Sequence, residues 1–264
     1  MDRRSLLSGV AAALGALLLS GAAAQAAEVK VMTSVALKSV LDELSPVFET
    51  KTGNKLAIDY GLSVDQKKRF LEGERADVVI LTRGMMEDLA KQKKVAETIV
   101  NVAGTPVAVA AREGAPKPDI STVDAFKQAL LQAKSLSYSD PSKGGLSGVV
   151  ALKAIERLGI AEQMKPKTIL VAGALSPELV AKGEAELGIA QASEIVPIAG
   201  TQLVGPLPGE LGSVTLFTGG VAAESQSADA AKAFIEFLTS ADTAPKLKAK
   251  GFQPGRRVRS PDAR

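Results

Sequence analysis

Short runs of β-branched and apolar residues alternate along this chain with longer segments whose apolar residues repeat at helical spacing. Residues 29–32, 56–60 and 76–81 are the first three such runs, and a segment of helical period follows each of them. This alternation predicts an α/β fold with mainly parallel sheets flanked by helices. Further strands are expected at residues 107–110, 136–138, 168–171, 187–190 and 213–217, and helices at residues 36–51, 63–72, 85–92, 123–133, 148–158, 177–182, 228–238 and 243–249.

Two segments rich in proline and glycine interrupt the alternation, GAPKP at 114–118 and VGPLPG at 204–209. Such residues favour turns and chain crossings. We therefore expect a first lobe from residues 27–108 and 215–264, and a second lobe from residues 109–214. A chain that leaves one lobe, builds another and returns forms a cleft between them, which can close around a ligand by a hinge motion. The polar residues at the C-terminus are expected to form a loose tail.

The first 26 residues have the pattern of a signal peptide. Asp2-Arg3-Arg4 precedes an apolar stretch at 6–20, and AQA at 24–26 supplies the small residues that a signal peptidase needs. The stretch is too short and too rich in glycine for a comfortable membrane span. The paired arginines fit a twin-arginine signal as well as a general secretory signal, and both routes stay open. We expect a periplasmic protein.

The chain contains no cysteine, histidine or tryptophan. This removes thiolate nucleophiles, the commonest general base and the commonest zinc ligands, and it predicts a protein that is not an enzyme and holds no metal or cofactor. The acid–base candidates are Asp77, Asp140 and Glu178, of which Asp77 and Asp140 are expected to be structural. Beyond the signal, 30 basic and 28 acidic residues are interspersed, so nucleic acid is not an expected partner.

Four clusters of small residues fall at turns between strands and helices. In an open parallel sheet these turns gather at the carboxyl ends of the strands, where ligands bind. Each helix start offers free N–H groups and a partial positive charge, which favours an anion. Hydroxyl groups add donors, and glycines let the backbone approach the ligand closely. The candidate residues from these clusters are Thr33, Ser34, Tyr60, Ser63, Ser147 and Gly173.

Several segments resemble the periplasmic molybdate-binding proteins of ABC importers, and more broadly the type II solute-binding fold. VMTSVALKSVL at 31–41 resembles the opening strand, serine-bearing turn and first helix of that family. KTGNKL at 51–56 and YGLS at 60–63 are similar to its next two turns, and EGERADVVI at 72–80 is similar to its G-x-x-A-D-V-F-I run. SDP, EAELGI and KGF match later motifs, so the similarity spans nearly the whole mature chain.

The resemblance implies a two-lobed, periplasmic-binding-protein-like α/β fold that holds an oxyanion without a counter-charge, by serine hydroxyls, backbone N–H groups and a tyrosine hydroxyl. Carried over, the second-turn serine falls on Ser63, the small residue that heads a second-lobe helix falls on Ser147, and a backbone donor falls near Gly173. The first-turn serine falls on Ala36, for which Ser34 is a possible substitute.

Two further departures bear on the ligand. The family's tyrosine falls on Gln191, whose amide can donate as a phenol does. Arg83 stands where the family often has a neutral residue, and it brings a positive charge to the expected rim of the cleft. The expected ligand is a molybdate-like or tungstate-like oxyanion, with a small organic anion such as a carboxylate, for transport or sensing, as the alternative. The implied partner is an ABC permease, and the protein is expected to be a monomer.

Overall fold

The strands and helices follow the predicted alternation in a computed structural model that describes residues 26–173 and 175–255. The predicted signal peptide lies outside the described residues apart from residue 26, and the predicted tail at 256–264 lies outside them entirely. Among the described helices, none has the length and apolar character needed to cross a membrane.

The described residues form ten strands and ten α-helices, and every predicted element is present. The strands are β1 (Glu28–Ser34), β2 (Lys55–Gly61), β3 (Val78–Thr82), β4 (Val100–Arg112), β5 (Leu136–Ser139), β6 (Thr168–Val171), β7 (Leu187–Gln191), β8 (Thr201–Pro206), β9 (Val214–Val221) and β10 (Gln253–Pro254). The helices are α1 (Lys38–Thr52), α2 (Ser63–Leu71), α3 (Arg83–Lys91), α4 (Val123–Gln132), α5 (Leu146–Arg157), α6 (Ala161–Met164), α7 (Ser176–Lys182), α8 (Ala192–Ile195), α9 (Ala228–Leu238) and α10 (Ala244–Ala249).

The long strand β4 connects two sections of the sheet. Its residues 100–106 pair antiparallel with β9, and its residues 107–111 pair antiparallel with β7. Farther out the strands are parallel, β1 with β2 and β3, and β5 with β6 and β7. The order across the sheet is β2-β1-β3-β9-β4-β7-β5-β6, while β8 and β10 also pair with β4. The predicted α/β class is confirmed, in a mixed sheet whose outer sections are parallel and whose pairings around β4 and β9 are antiparallel.

The two largest apolar cores lie on different sections of the sheet. One draws its buried side chains from residues 29–103 and 217–252, where Phe48 and Phe234 pack edge-to-face with ring centroids 5.1 Å apart. The other draws them from residues 107–211, with Phe126 and Leu130 fully buried. Along the chain, the change from one core to the other falls at residues 103–107 and 211–217, close to the two predicted crossings. The lobe boundaries themselves stay a prediction.

The sequence pattern does not predict β8 or α8, and each omission has a simple physical reason. β8 contains Gly205 and Pro206, which favour a turn, but among the described strands it pairs with β4 alone, and an edge strand tolerates proline. The helix α8 has four residues, too few to show a helical period. This second omission matters because α8 carries a residue of the candidate site.

Candidate functional site

Five turns between strands and helices meet at one small cavity. We call the turns after β1 and β2 the first wall, and the turns after β5, β6 and β7 the second wall. The cavity volume is about 20 Å³, which is room for about one water molecule. The first wall contributes Ser34, Val35, Leu62 and Ser63, and the second wall contributes Ser139, Gly144, Gly145, Leu146, Ser147, Gly173, Gln191 and Glu194.

Five of the eight residues expected to bind a ligand line this cavity, although they come from distant parts of the sequence. They are Ser34, Ser63, Ser147, Gly173 and Gln191. Within each wall the parallel strands explain the meeting, because their carboxyl ends lie along one edge. The two parallel sections run in opposite directions, since three antiparallel pairings (β3 with β9, β9 with β4 and β4 with β7) separate them, and the carboxyl ends of both sections line the one cavity. Their role in binding stays a prediction.

The first wall offers a hydroxyl group that no other described residue uses. Ser63 begins α2 and is 2% exposed, and its Oγ has no hydrogen-bond partner among the described residues. Ser34 ends β1, and its Oγ accepts a long hydrogen bond of 3.4 Å from the Ala36 N–H. Because an unpaired buried hydroxyl is unfavourable, Ser63 is the first-wall side chain best placed to bond a ligand.

The two serines of the second wall are hydrogen-bonded to each other, whereas the buried Oε1 of Gln191 in the same wall has no partner among the described residues. Ser139 Oγ lies 3.0 Å from Ser147 Oγ and accepts the N–H of Gly148 at 3.0 Å. A Cβ atom at Gly148 would lie 1.7 Å from the carbonyl oxygen of Ser139, so α5 can approach β5 this closely only with glycine there. Ser139 is not among the site residues predicted from the sequence, although its place at the end of a buried strand is a signal for such a role.

Gly173 and Gln191 complete the second wall. Gly173 follows β6 with a φ of 58°, in the left-handed region that favours glycine. Gln191 ends β7, is 2% exposed, and pairs with Val107 of β4. Its side chain lines the cavity, where the resemblance places a tyrosine.

The other three expected residues point to different surroundings. The Thr33 hydroxyl donates to the Ile80 carbonyl at 3.1 Å, inside the sheet. The Tyr60 hydroxyl donates to Asp42 of α1 at 3.0 Å, in a separate surface groove. Arg83 forms an ion pair with Glu87 at 2.8 Å on α3. The structure does not bring these three side chains to the cavity.

Among the described residues that line the cavity, Glu194 is the one that can ionise near neutral pH. It lies in the first turn of α8, and its Oε2 accepts the Gln191 N–H at 3.1 Å. The residue keeps partial exposure, while protein surrounds most of the carboxyl group. Burial raises the pKa of Glu194 to about 7, and the Gln191 N–H lowers it by less. A carboxyl group with a pKa near neutrality can both accept and donate a proton.

The three acids considered from the sequence lie elsewhere. Asp77 accepts hydrogen bonds from three backbone N–H groups and from the Ser225 hydroxyl, which makes it a structural anchor. Asp140 accepts from the N–H and hydroxyl of Ser142 and shapes a turn, as expected. Glu178 has a 43% exposed side chain on α7. Glu194 is not among the acids predicted from the sequence, where its one signal is a position three residues after the end of a buried strand.

Sequence comparisons place the chain among solute-binding proteins. A family model for bacterial extracellular solute-binding proteins matches residues 29–253. An aconitate isomerase from a Pseudomonas species is 34% identical over 92% of this chain and 95% of the isomerase. The molybdate-binding protein ModA of Azotobacter vinelandii is 26% identical over 93% of this chain and 97% of ModA.

A structural comparison agrees on the fold. The solved periplasmic molybdate-binding protein of Azotobacter vinelandii superposes with a TM-score of 0.69, at 17% sequence identity, over 85% of this chain and 98% of that chain. The type II periplasmic-binding fold and the resemblance to molybdate-binding proteins are therefore confirmed.

The similarity to an aconitate isomerase contradicts the prediction that this chain is not an enzyme. That prediction was wrong because a missing histidine or cysteine excludes only the reactions that need those side chains. A carboxyl group shifted toward neutrality by burial can serve as a general acid and base instead. The sequence does not reveal which of its many carboxyl groups is buried beside a cavity.

The family match runs from the first strand to the last and includes every residue of both walls. The fold, the cavity between the walls and the match over residues 29–253 agree with one another. The chain belongs to the family of bacterial extracellular solute-binding proteins.

Proposed function

We propose that this exported protein captures a small unsaturated carboxylate between its two walls and isomerises it by proton transfer through Glu194. The observation that carries the proposal is the placement of this carboxyl group in the cavity, with its pKa raised to about 7. The name of the 34% identical relative supports aconitate, a tricarboxylate with one carbon–carbon double bond, as the compound to test.

Ligand capture would rely on hydrogen-bond donors, since among the described residues of the cavity lining there is no lysine or arginine. α2 and α5 both begin at the cavity, and the N–H groups and partial positive charge of a helix start attract an anion. The hydroxyls of Ser63 and Ser147 add side-chain donors. The Ser147 hydroxyl is free to donate when Ser139 Oγ is the donor in the bond between the two serines. Together these groups fit one carboxylate of a ligand.

The ligand would enter only when the walls separate, because a cavity of about 20 Å³ is far smaller than a tricarboxylate. The walls are in contact: a Cβ atom at Gly144 of the second wall would lie 2.5 Å from Cγ2 of Val64 on α2. So close an approach is that of a closed cleft. A hinge motion about β4, which connects the two sections of the sheet, would open it.

The proposed chemistry is an allylic proton transfer. The Glu194 carboxylate removes a proton from the saturated carbon next to the double bond, and the electron pair of the broken C–H bond spreads over the three allylic carbons and the attached carboxylate. The proton returns from Glu194 to either end of this unit, and the double bond re-forms with a changed geometry. Nothing is oxidised or reduced. N–H donors at the helix starts stabilise the charge that develops.

The test is turnover of cis-aconitate to trans-aconitate by the purified protein, followed by proton NMR. Glu194→Gln should lower kcat by at least about a hundredfold, the scale of lost general acid–base catalysis, while ligand binding measured by calorimetry persists. Glu178→Gln is the matched control, because it removes an exposed glutamate and should leave the rate unchanged. An inactive wild type, or Glu194→Gln with the wild-type rate, would overturn the proposal.

A second candidate function is capture of a tetrahedral oxyanion for an ABC importer. The hydroxyl and N–H donors of the cavity support it, as does the similarity to ModA. The protein would then act as a monomer and deliver its ligand to an ABC permease. Calorimetric titration with molybdate, tungstate, sulfate, cis-aconitate and trans-aconitate separates the two candidates: saturable binding of molybdate or tungstate, without binding of either aconitate, would favour the importer function.

A further inference from the structure

The helix that carries Glu194 is too short to fix its own position. α8 spans only Ala192–Ile195, and a single helical turn is not stable by itself. Within the turn, the Gln191 N–H donates to the Glu194 carboxylate and orients it. The position of the turn as a whole depends on the groups that hold it from outside.

One such group is the hydroxyl of Thr105, a fully buried residue of β4. Thr105 Oγ1 accepts the Ser193 N–H at 3.1 Å and donates to the Gly251 carbonyl at 3.3 Å. A side-chain oxygen that accepts an N–H from the first turn of a helix acts as a cap. Here an additional cap comes from a strand 88 residues away in the sequence, beside the capping box that Gln191 forms with Glu194.

Gly251 supports the same turn from the other side. Its φ is 80°, and a Cβ atom there would lie 2.7 Å from both the carbonyl carbon and the oxygen of Ala192, and 3.0 Å from the Ser193 N. The backbone at Gly251 thus packs directly on the peptide that begins α8. The neighbouring strand β10 pairs with Ala103 and Gly104 of β4, which fixes the segment beside Thr105.

We infer that Thr105 and Gly251 are positioning residues that hold the Glu194 turn in register with the cavity. The inference rests on the proposed role of Glu194 in proton transfer. Neither residue lines the cavity, and both act through the peptide between Ala192 and Ser193. Thr105 also lies next to the point along β4 at which the neighbouring strand changes from β9 to β7. The acid would therefore be supported at the same place about which the walls open.

The decisive experiment compares Thr105→Val with Thr105→Ser in the full chain. The valine variant keeps the shape but leaves the Ser193 N–H without its acceptor, and a small displacement of a catalytic group costs up to about a hundredfold in rate. We expect kcat to fall about tenfold to a hundredfold with KM within about twofold. The serine variant keeps the hydroxyl and should restore most of kcat.

Thr218→Val is the matched control, because Thr218 is also a buried threonine of this sheet and donates to the Asn101 side chain at 3.1 Å. It should lose comparable stability without a loss of kcat. The inference is wrong if folded Thr105→Val keeps the wild-type kcat, or if the valine and serine variants lose kcat equally.

A second measurement separates this inference from the proposed function. If the wild type turns over no aconitate, the proposed function fails, but the position of Glu194 can still be followed by ¹³C NMR titration of its side-chain carboxyl carbon. Thr105→Val should then move the titration midpoint of Glu194 toward that of an ordinary glutamate, whereas Thr105→Ser and Thr218→Val should not. An unchanged midpoint in Thr105→Val would contradict the inference.

Discussion

The two walls of the cavity differ in how their polar groups are used. In the first wall, Ser63 Oγ is buried without a hydrogen-bond partner among the described residues. In the second wall, the hydroxyls of Ser139 and Ser147 bond each other, and Ser139 also accepts the Gly148 N–H. The second wall also carries Glu194. The first wall therefore keeps a free hydroxyl, while the second has the hydroxyls of Ser139 and Ser147 bonded and Glu194 held by the Gln191 N–H. Among the described residues of the second wall, the unpartnered cavity-lining atom is the amide oxygen of Gln191.

This difference separates two tasks within one cleft. Under the proposed function, the unpartnered hydroxyl of Ser63 would gain a hydrogen bond when a ligand arrives, so the first wall would contribute to affinity at no loss of internal bonds. A pre-formed network keeps its groups in place before the ligand arrives, which is what proton transfer requires. Substitutions in the first wall should therefore change binding, and substitutions in the second wall should change stability and turnover.

The largest effect is expected at the closest contact of the second wall. Gly148→Ala would place a methyl group 1.7 Å from the Ser139 carbonyl oxygen, and relief of this clash should cost about 3 kcal/mol of unfolding free energy or more. Gly84→Ala is the control, because no atom lies within 4 Å of a Cβ there and the site is in a helix. Urea denaturation should show Gly84→Ala equal to or more stable than the wild type.

The next effect concerns pH. The pKa of Glu194 in the folded protein, about 7, lies above its ordinary value of 4.5 because burial disfavours the carboxylate. The folded state therefore holds the proton more tightly than the unfolded chain does. The contribution of Glu194 to the free energy of unfolding is fully present below pH 4.5 and is lost as pH rises through 7. Allowing for the partial exposure of the residue, we expect the loss to be about 2 kcal/mol.

Urea denaturation at pH 4.5, 6 and 8 measures this contribution. Glu194→Gln should remove the decrease and should be more stable than the wild type at pH 8. Glu178→Gln should retain the wild-type decrease. If the wild type and Glu194→Gln have parallel pH profiles of stability, the carboxyl group does not carry the raised pKa.

A direct comparison of the walls comes from two serine substitutions. Ser139→Ala leaves the Gly148 N–H and the Ser147 hydroxyl without their partner and should cost about 1–2 kcal/mol of unfolding free energy. Ser63→Ala loses no hydrogen bond to a described residue, so its stability should change by less than about 0.5 kcal/mol. Its ligand affinity should nevertheless fall by about fivefold to tenfold. Equal losses of stability in the two variants would remove the distinction between the walls.

The smallest effect is expected at Arg83. Its side chain is 40% exposed and pairs with Glu87 one helical turn away. Such surface pairs contribute less than about 0.5 kcal/mol. Arg83→Ala should therefore leave both stability and ligand affinity nearly unchanged. A loss of affinity above about tenfold would show that Arg83 reaches the ligand when the walls are open, as the sequence alone predicts.

Much of the candidate site follows from sequence patterns, but its acid does not. Ser63, Ser147 and Gly173 were found because small residues at helix starts have a local signature and a family resemblance. Glu194 has neither, since α8 is too short to show a period and its carboxyl gains its character from burial. Thr33 and Tyr60 share the signature of their neighbours, yet they bond Ile80 and Asp42 instead.

The sequence by itself determined the alternation of strands and helices, the type II fold and the small residues at the strand ends, because these depend on local periodicity and turn chemistry. Only the tertiary structure decided which hydroxyl is left free, which carboxyl is desolvated, and that Thr105 and Gly251 meet the turn before Glu194. These properties depend on contacts between residues far apart in the chain. Burial and hydrogen bonding are set by those contacts, and they fix the pKa and the position of a group more strongly than its neighbours in sequence do.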